Sequence, residues 1–114
     1  MKLHYLEFVS PDADLQCKTL QELHGVTFSE PVAELGHARI ADLPDGSRVA
    51  VRSPMHAEEE PVIRPYFLTT DIEGAVENAS KAGAQIAHPP LEIPGQGTFA
   101  IYFLNGLQHG LWQI

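Results

Sequence analysis

An internal repeat constrains this fold more than any other feature of the sequence. The stretch KLHYLEFVSPDADLQCKTLQELHG, from Lys2 to Gly25, and the stretch IRPYFLTTDIEGAVENASKAG, from Ile63 to Gly83, share one grammar: strand, acidic cap, helix, glycine stop. Asp12 and Asp71 stand 59 residues apart, as do Phe8 and Phe67. At the same offset the apolar stripe Ile72, Ala75, Val76, Ala79 and Ala82 falls on Ala13, Gln16, Cys17, Leu20 and Leu23, with Gln16 its one polar member. Both stripes have the spacing of a helix with one face toward a core. Ser10, Asp12 and Asp14 offer caps for the first helix, and Thr70 with Glu73 fits a capping box for the second. Gly25 ends the first helix as a left-handed C-terminal residue would.

The second halves also correspond. VTFSEPVAEL follows Gly25 and AQIAHPPLEI follows Gly83, each a short strand broken by proline. ARIADLPDGSRVAV then reads as a hairpin turning at Pro44-Asp45-Gly46, and FAIYFLNGLQHGLWQI as one turning at Asn105-Gly106. Between the halves lies SPMHAEEEP, whose prolines and solvated Glu58–Glu60 run mark a linker. The expected architecture is α+β, one domain made of two tandem βαβββ modules. Module one covers about residues 1–53, the linker 54–61 and module two about 62–114. One helix covers one face of four strands, so a curved mixed sheet with an open concave cleft is expected. Side chains alternate along a strand. Hence His4, Leu6 and Phe8 should face the first helix, with Tyr5, Glu7 and Val9 on the cleft side. In the matching strand, Pro65, Phe67 and Thr69 should face the helix, and Arg64, Tyr66 and Leu68 the cleft.

Composition narrows the partners. Seven basic against fifteen acidic residues give a net charge of −8, which repels phosphate backbones, so nucleic acid is not expected. One cysteine, Cys17, excludes an internal disulfide and any cysteine-rich zinc site, and on its helical stripe it reads as a small hydrophobe. No apolar run reaches membrane-spanning length and no secretion signal is read at the start, so the expectation is a cytoplasmic protein with no membrane partner. There is no phosphate loop, dinucleotide fingerprint or nucleophile elbow. LEIPGQGTFA, with Pro94, Gly95 and Gly97 around Gln96, reads first as a tight strand connection and second as a lid near a ligand.

Three segments carry a resemblance: LEFVSPDADLQCKTLQELHGV, YFLTTDIEGAVENASKAGAQI and PPLEIPGQGTFAIYFLNGLQHGLWQ. In that order they resemble the vicinal oxygen chelate superfamily, which includes glyoxalase I, extradiol dioxygenases, fosfomycin resistance enzymes and bleomycin-binding proteins. The last segment looks like the ending of a branch that includes mycobacterial antigen-like proteins. Members with chemistry hold one divalent metal through four His, Glu or Gln side chains, two from each module. The resemblance puts those positions at Tyr5, around Ala50 to Val51, at Arg64 and at Gly110. None is a metal ligand by type, and Arg64 would repel a dication. His109 points away from the face of Gly110 and Trp112, so packing or solvent is expected for it instead of a metal. No metal or other cofactor is expected; a divalent ion at a rearranged site is the lesser possibility.

The expected cleft set is then Tyr5, Glu7, Arg64, Tyr66 and Trp112, with Gly110 leaving room beneath. Aromatic rings supply flat apolar walls, and Arg64 can clamp a carboxylate, phosphate or enolate. Glu7 could act as a general base; equally, Glu7 and Arg64 could be a structural ion pair, with the rings as core. The leading expectation is a metal-independent protein that binds a small organic molecule, as a homodimer. The alternative is a lyase, isomerase or dioxygenase-like enzyme with Glu7 as its base. A ferredoxin-like α/β barrel is a third reading, against which the two hairpin turns argue.

Overall fold

The computed structural model describes residues 1–114. In chain order the elements are β1 (Leu3–Val9), α1 (Ala13–His24), a short 3₁₀ turn (Ala33–Leu35), β2 (Arg39–Asp42), β3 (Arg48–Arg52), β4 (Val62–Leu68), α2 (Ile72–Lys81), β5 (Gln85–Ile93), β6 (Gly97–Leu104) and β7 (Leu107–Gln113). This is the mixed α+β arrangement the repeat predicts, one helix to each half. The chain forms two compact units: an N-terminal one, Tyr5–Ile63, and a C-terminal one, Arg64–Ile114, which also takes in Met1–His4. Those first residues join the C-terminal unit because the Leu68 amide donates to the Lys2 carbonyl at 2.8 Å and the His4 ring lies 5.9 Å from Trp112.

In the N-terminal unit β3 is the central strand, parallel to β1 and antiparallel to β2, so that Glu7 and Ile40 both stand level with Ala50. The hairpin closes where Pro44-Asp45-Gly46 predicts, with Gly46 N–H donating to Leu43 O at 3.0 Å. Asp12 caps α1 by accepting from the Leu15 amide at 3.1 Å, and Gly25 ends it with φ 68°. Cys17, Phe28, Ala41 and Val51 form the core, lined by Phe8, Ala13, Leu20, Val26 and Val49. Leu23, expected on that face, is 70% exposed. Its place is taken by Val26 and Phe28, which turn inward directly after the helix, the Phe28 amide donating to Gln21 Oε1.

The strand expected after α1 is vestigial. Ser29 N–H reaches Ile40 O at 2.8 Å, while the Ile40 amide turns to the Ser29 hydroxyl instead of a carbonyl. Beyond it, only the isolated bridge Val32 to Ala38 remains. Pro31 has no N–H to give to a ladder, and the 3₁₀ turn, with Gly36 and His37 both left-handed, reverses the chain at once.

The C-terminal unit is complete. Its strands lie in the order β4-β7-β6-β5, with β4 and β7 parallel and the other pairs antiparallel. β5 has β6 as its neighbour on one side and is an edge strand, so Pro89 and Pro90 are absorbed as register shifts between Ile86 and Leu91. Asn105 (φ 54°) and Gly106 (φ 78°) form the left-handed pair of a type I′ turn, as the Asn-Gly dipeptide predicts. The cap of α2 differs from the expected box. Asp71, not Thr70, accepts from the Gly74 amide at 3.1 Å, as Asp12 does for α1, and Thr70 is exposed. LEIPGQGTFA is a tight connection: Gln96 N–H donates to Ile93 O at 2.9 Å across Pro94 and Gly95, the latter at φ 77°. No helix is long and apolar enough to cross a membrane.

Candidate functional site

α2 packs on one face of the C-terminal strands, and its first amide, from Ile72, is held by Gln113 Oε1 at 2.8 Å. Alternation therefore turns Gln108, Gly110 and Trp112 of β7 to the opposite face. The register of β6 on β7 brings Phe103, Ile101 and Phe99 level with them in that order. β4 adds Arg64 and Tyr66, with Tyr66 level with Gly110.

Charge and rings are assembled tightly there. Arg64, buried, donates to Gln108 Oε1 from Nε at 2.9 Å and from Nη2 at 2.6 Å, and from Nη1 to the Tyr66 hydroxyl at 3.3 Å. Tyr66 stands edge-on to Trp112 (centroids 5.6 Å, 85°) and to Phe99 (6.4 Å, 69°), and Phe99 stacks on His88 at 4.8 Å. Trp112 is fixed by its indole N–H, which donates to the Gln96 carbonyl at 3.0 Å. The room left by Gly110 is filled: a Cβ there would run into the ring carbons of Tyr66. Gly110 thus makes space for a tyrosine ring belonging to its own unit.

The N-terminal unit holds a different device. Glu7 accepts from Arg52 Nε at 2.9 Å, and Arg52 grips Glu59 through Nη1 (2.8 Å) and Nη2 (2.7 Å). Burial by itself would lower the Arg52 pKa, but the hydrogen bonds and charges of Glu59 and Glu7 outweigh it and hold the guanidinium above its usual range. Glu59 also accepts from the Met55 amide at 2.7 Å. The middle residue of the acidic run is therefore a folded-back ligand of Arg52, while Glu58 and Glu60 remain exposed. Tyr5, also buried, lies at the start of this unit.

Of the expected residues, Arg64, Tyr66, Gly110 and Trp112 come together on one face, and Glu7 is found in the Arg52 network. Reading the residues in order missed Gln108, Phe99, Arg52 and Glu59. Period-two counting from Gly110 reaches Gln108, and counting from Ala50 reaches Arg52; both signals were present. His109 is half-buried and stacks on Tyr102 at 5.1 Å and 5°, on the α2 side of the sheet. Burial pushes the Tyr102 hydroxyl pKa up.

The donor set does not fit the divalent metal that the resemblance implies. The positions expected to ligate carry Tyr5, Arg64 and Gly110, the last covered by a ring, and no group of three or more His, Cys, Asp or Glu side chains stands together anywhere in the chain. A cavity of about 480 Å³ in the N-terminal unit is lined by Gly36, His37, Met55 and the Asp14–Arg39 ion pair (3.1 Å). It contains none of Glu7, Arg52, Arg64, Tyr66, Gln108 and Trp112.

No family model matches the chain, and no curated protein does. Solved structures match throughout. A hypothetical protein from Bacillus halodurans is 12% identical with a TM-score of 0.79, covering 99% of this chain and 94% of its own. The methylmalonyl-CoA epimerase of Mycobacterium tuberculosis is 11% identical with a TM-score of 0.75, covering 98% and 87%. A variant of the Streptomyces coelicolor methylmalonyl-CoA epimerase, in complex with 2-nitronate-propionyl-CoA, is 15% identical with a TM-score of 0.73, covering 99% and 96%. The chain has the fold of these proteins, a glyoxalase-like arrangement of βαβββ modules.

Proposed function

We propose that this protein binds a small organic molecule with an anionic or carbonyl head, without the divalent metal of its metal-binding relatives. The observation behind this reading is the pairing of a buried guanidinium, Arg64, with the rings of Tyr66, Phe99 and Trp112 on one sheet face. At the positions where relatives bind a metal, this chain has a permanent cation and a glycine covered by tyrosine. A guanidinium attracts the same carboxylates and enolates that a metal would, and the rings favour a flat apolar body. The nitronate named in the Streptomyces coelicolor complex belongs to that chemical class. The same proposal places the protein in the cytoplasm, within the mycobacterial antigen-like branch that its last segment resembles. It also makes the protein a homodimer, for which β2 and β5, each bonded along one edge, offer pairing strands.

Elemental analysis, followed by melting curves with Mn, Fe, Ni, Co and Zn, tests the first half. No bound metal and no saturable stabilisation are expected. Fluorescence of Trp112, the single tryptophan, tests the second half. Saturable changes with aromatic carboxylates are expected, and Arg64→Ala should remove them. A stoichiometric metal, or stabilisation lost in Glu7→Gln, would replace this reading with the enzymatic alternative, in which Glu7 is the base.

A further inference from the structure

Gln108 is built as a donor awaiting an acceptor. Arg64 has only donors, so the amide oxygen must be the atom that faces it, and the two bonds at 2.9 and 2.6 Å fix the amide plane. The two Nε2 hydrogens of Gln108 consequently point away from Arg64. No side chain or backbone group of the chain accepts from them. The residue is half-buried, beside Phe103, which is 37% exposed, with Ile101 and Phe99 continuing the apolar surface. An amide whose oxygen is bound twice by a cation is also a stronger donor, because each bond polarises the next.

Resting on the reading above, we infer that Gln108 makes the head-group contact and determines specificity. Its Nε2 donates to an oxygen acceptor, a carboxylate, enolate or thioester carbonyl, on a molecule whose body lies along Phe99, Ile101 and Phe103. Arg64 is then a positioning residue that orients and polarises the amide. The site accepts anions and carbonyls and rejects ammonium heads, which offer no acceptor.

The experiment is an NMR titration of the full chain with benzoate, with benzylamine as the cationic control, following the side-chain NH₂ of Gln108 and Trp112 fluorescence together. Benzoate should shift the Gln108 NH₂ protons downfield, and benzylamine should leave them unmoved. Gln108→Leu should weaken benzoate binding by about tenfold or more, the loss expected for one hydrogen bond to a charged group. Gln108→Glu, which keeps the Arg64 contact but replaces donors with a charge, should abolish binding while preserving the melting temperature. Arg64→Lys should keep the fold but reduce the benzoate shift, since an ammonium cannot hold the amide plane. If benzoate perturbs Trp112 while the Gln108 NH₂ stays still, or if Gln108→Leu binds as tightly as the parent, the inference fails and the binding reading stands. If neither probe responds to benzoate, both fail.

Discussion

Glu7 and Tyr66 occupy the same place in the repeat, 59 residues apart, yet each unit completes that place differently. In the N-terminal unit Glu7 stands level with Ala50, and Arg52, two residues on, reaches back to it at 2.9 Å. In the C-terminal unit Tyr66 stands level with Gly110, and Trp112, two residues on, meets it edge-on at 5.6 Å. An ion pair in one half is replaced by an aromatic pair in the other. The central residue adjusts to suit: a carboxylate leaves room for the methyl of Ala50, whereas the Tyr66 ring requires the bare backbone of Gly110. The two halves thus share a strand register and differ in side-chain chemistry. In one half Arg52 clasps the linker through Glu59, and in the other the matching positions hold rings.

The comparison breaks first at Arg52. Arg52→Ala leaves Glu7 and Glu59 without their shared cation and should cost about 3–5 kcal/mol in urea unfolding. Trp112→Ala should cost a similar amount, about 3–5 kcal/mol, by leaving a cavity. The two losses differ in character. Glu7→Gln together with Glu59→Gln should recover part of the Arg52→Ala loss, by removing the charges left behind, and should not relieve the Trp112→Ala loss. No recovery would mean that the N-terminal pair acts through packing alone.

Next in size are the residues beneath the pairs. Gly110→Ala forces a methyl into the Tyr66 ring and should destabilise by about 1–3 kcal/mol, and Tyr66→Leu in that background should recover part of the loss. The reciprocal change, Ala50→Gly, should cost only about 0.5–1 kcal/mol, from backbone entropy. If Gly110→Ala were as mild as Ala50→Gly, the ring would not be seated on the backbone as described.

How far these features were legible follows the range of the forces. Helix positions, the Asn105-Gly106 turn, the Asp12 cap and the placing of Arg64 and Tyr66 on one face of β4 are local or periodic, and the sequence displays them directly; His4, expected to face α1, has its ring beside Trp112 instead. The vestigial strand after α1 was misread because Val26 and Phe28 look like strand residues. What decides their state is Pro31 and the immediate reversal at Gly36-His37. The site was half-legible. Arg64, Tyr66, Gly110 and Trp112 follow from alternation, but their partners do not. Gln108 and Arg64 lie 44 residues apart, and Arg52 and Glu7 45, so no local pattern joins them, and Glu59 sits inside a run that composition alone marks as solvated. Which acceptor meets which donor is settled by register across strands, and a single sequence leaves that open.

Smaller effects test whether the helices remained alike. Asp12 and Asp71 cap with the same geometry, each accepting at 3.1 Å from the amide three residues on. Asp12→Ala and Asp71→Ala should therefore each lose about 1 kcal/mol. A marked inequality would show that one cap carries tertiary strain.

The smallest effect separates the helix cores, where Cys17 corresponds to Val76, 59 residues on. Cys17 is 1% exposed, and burial pushes its thiol pKa above the ordinary value of 9.0; Arg39 pulls it down less strongly, and Asp14 adds to the rise. A thiol that keeps its proton in the folded chain ionises first in the unfolded one. The folded state then binds more protons, so stability is whole below pH 9.0 and declines as pH climbs through the raised native value. Cys17→Val, which gives α1 the residue α2 already has, should remove that alkaline decline while leaving stability near neutrality little changed. Urea unfolding of both proteins from neutral to strongly alkaline pH measures the difference. Curves that stay parallel throughout would place the alkaline sensitivity elsewhere, with Tyr102 of the C-terminal unit, whose hydroxyl burial also raises, as the next residue to replace.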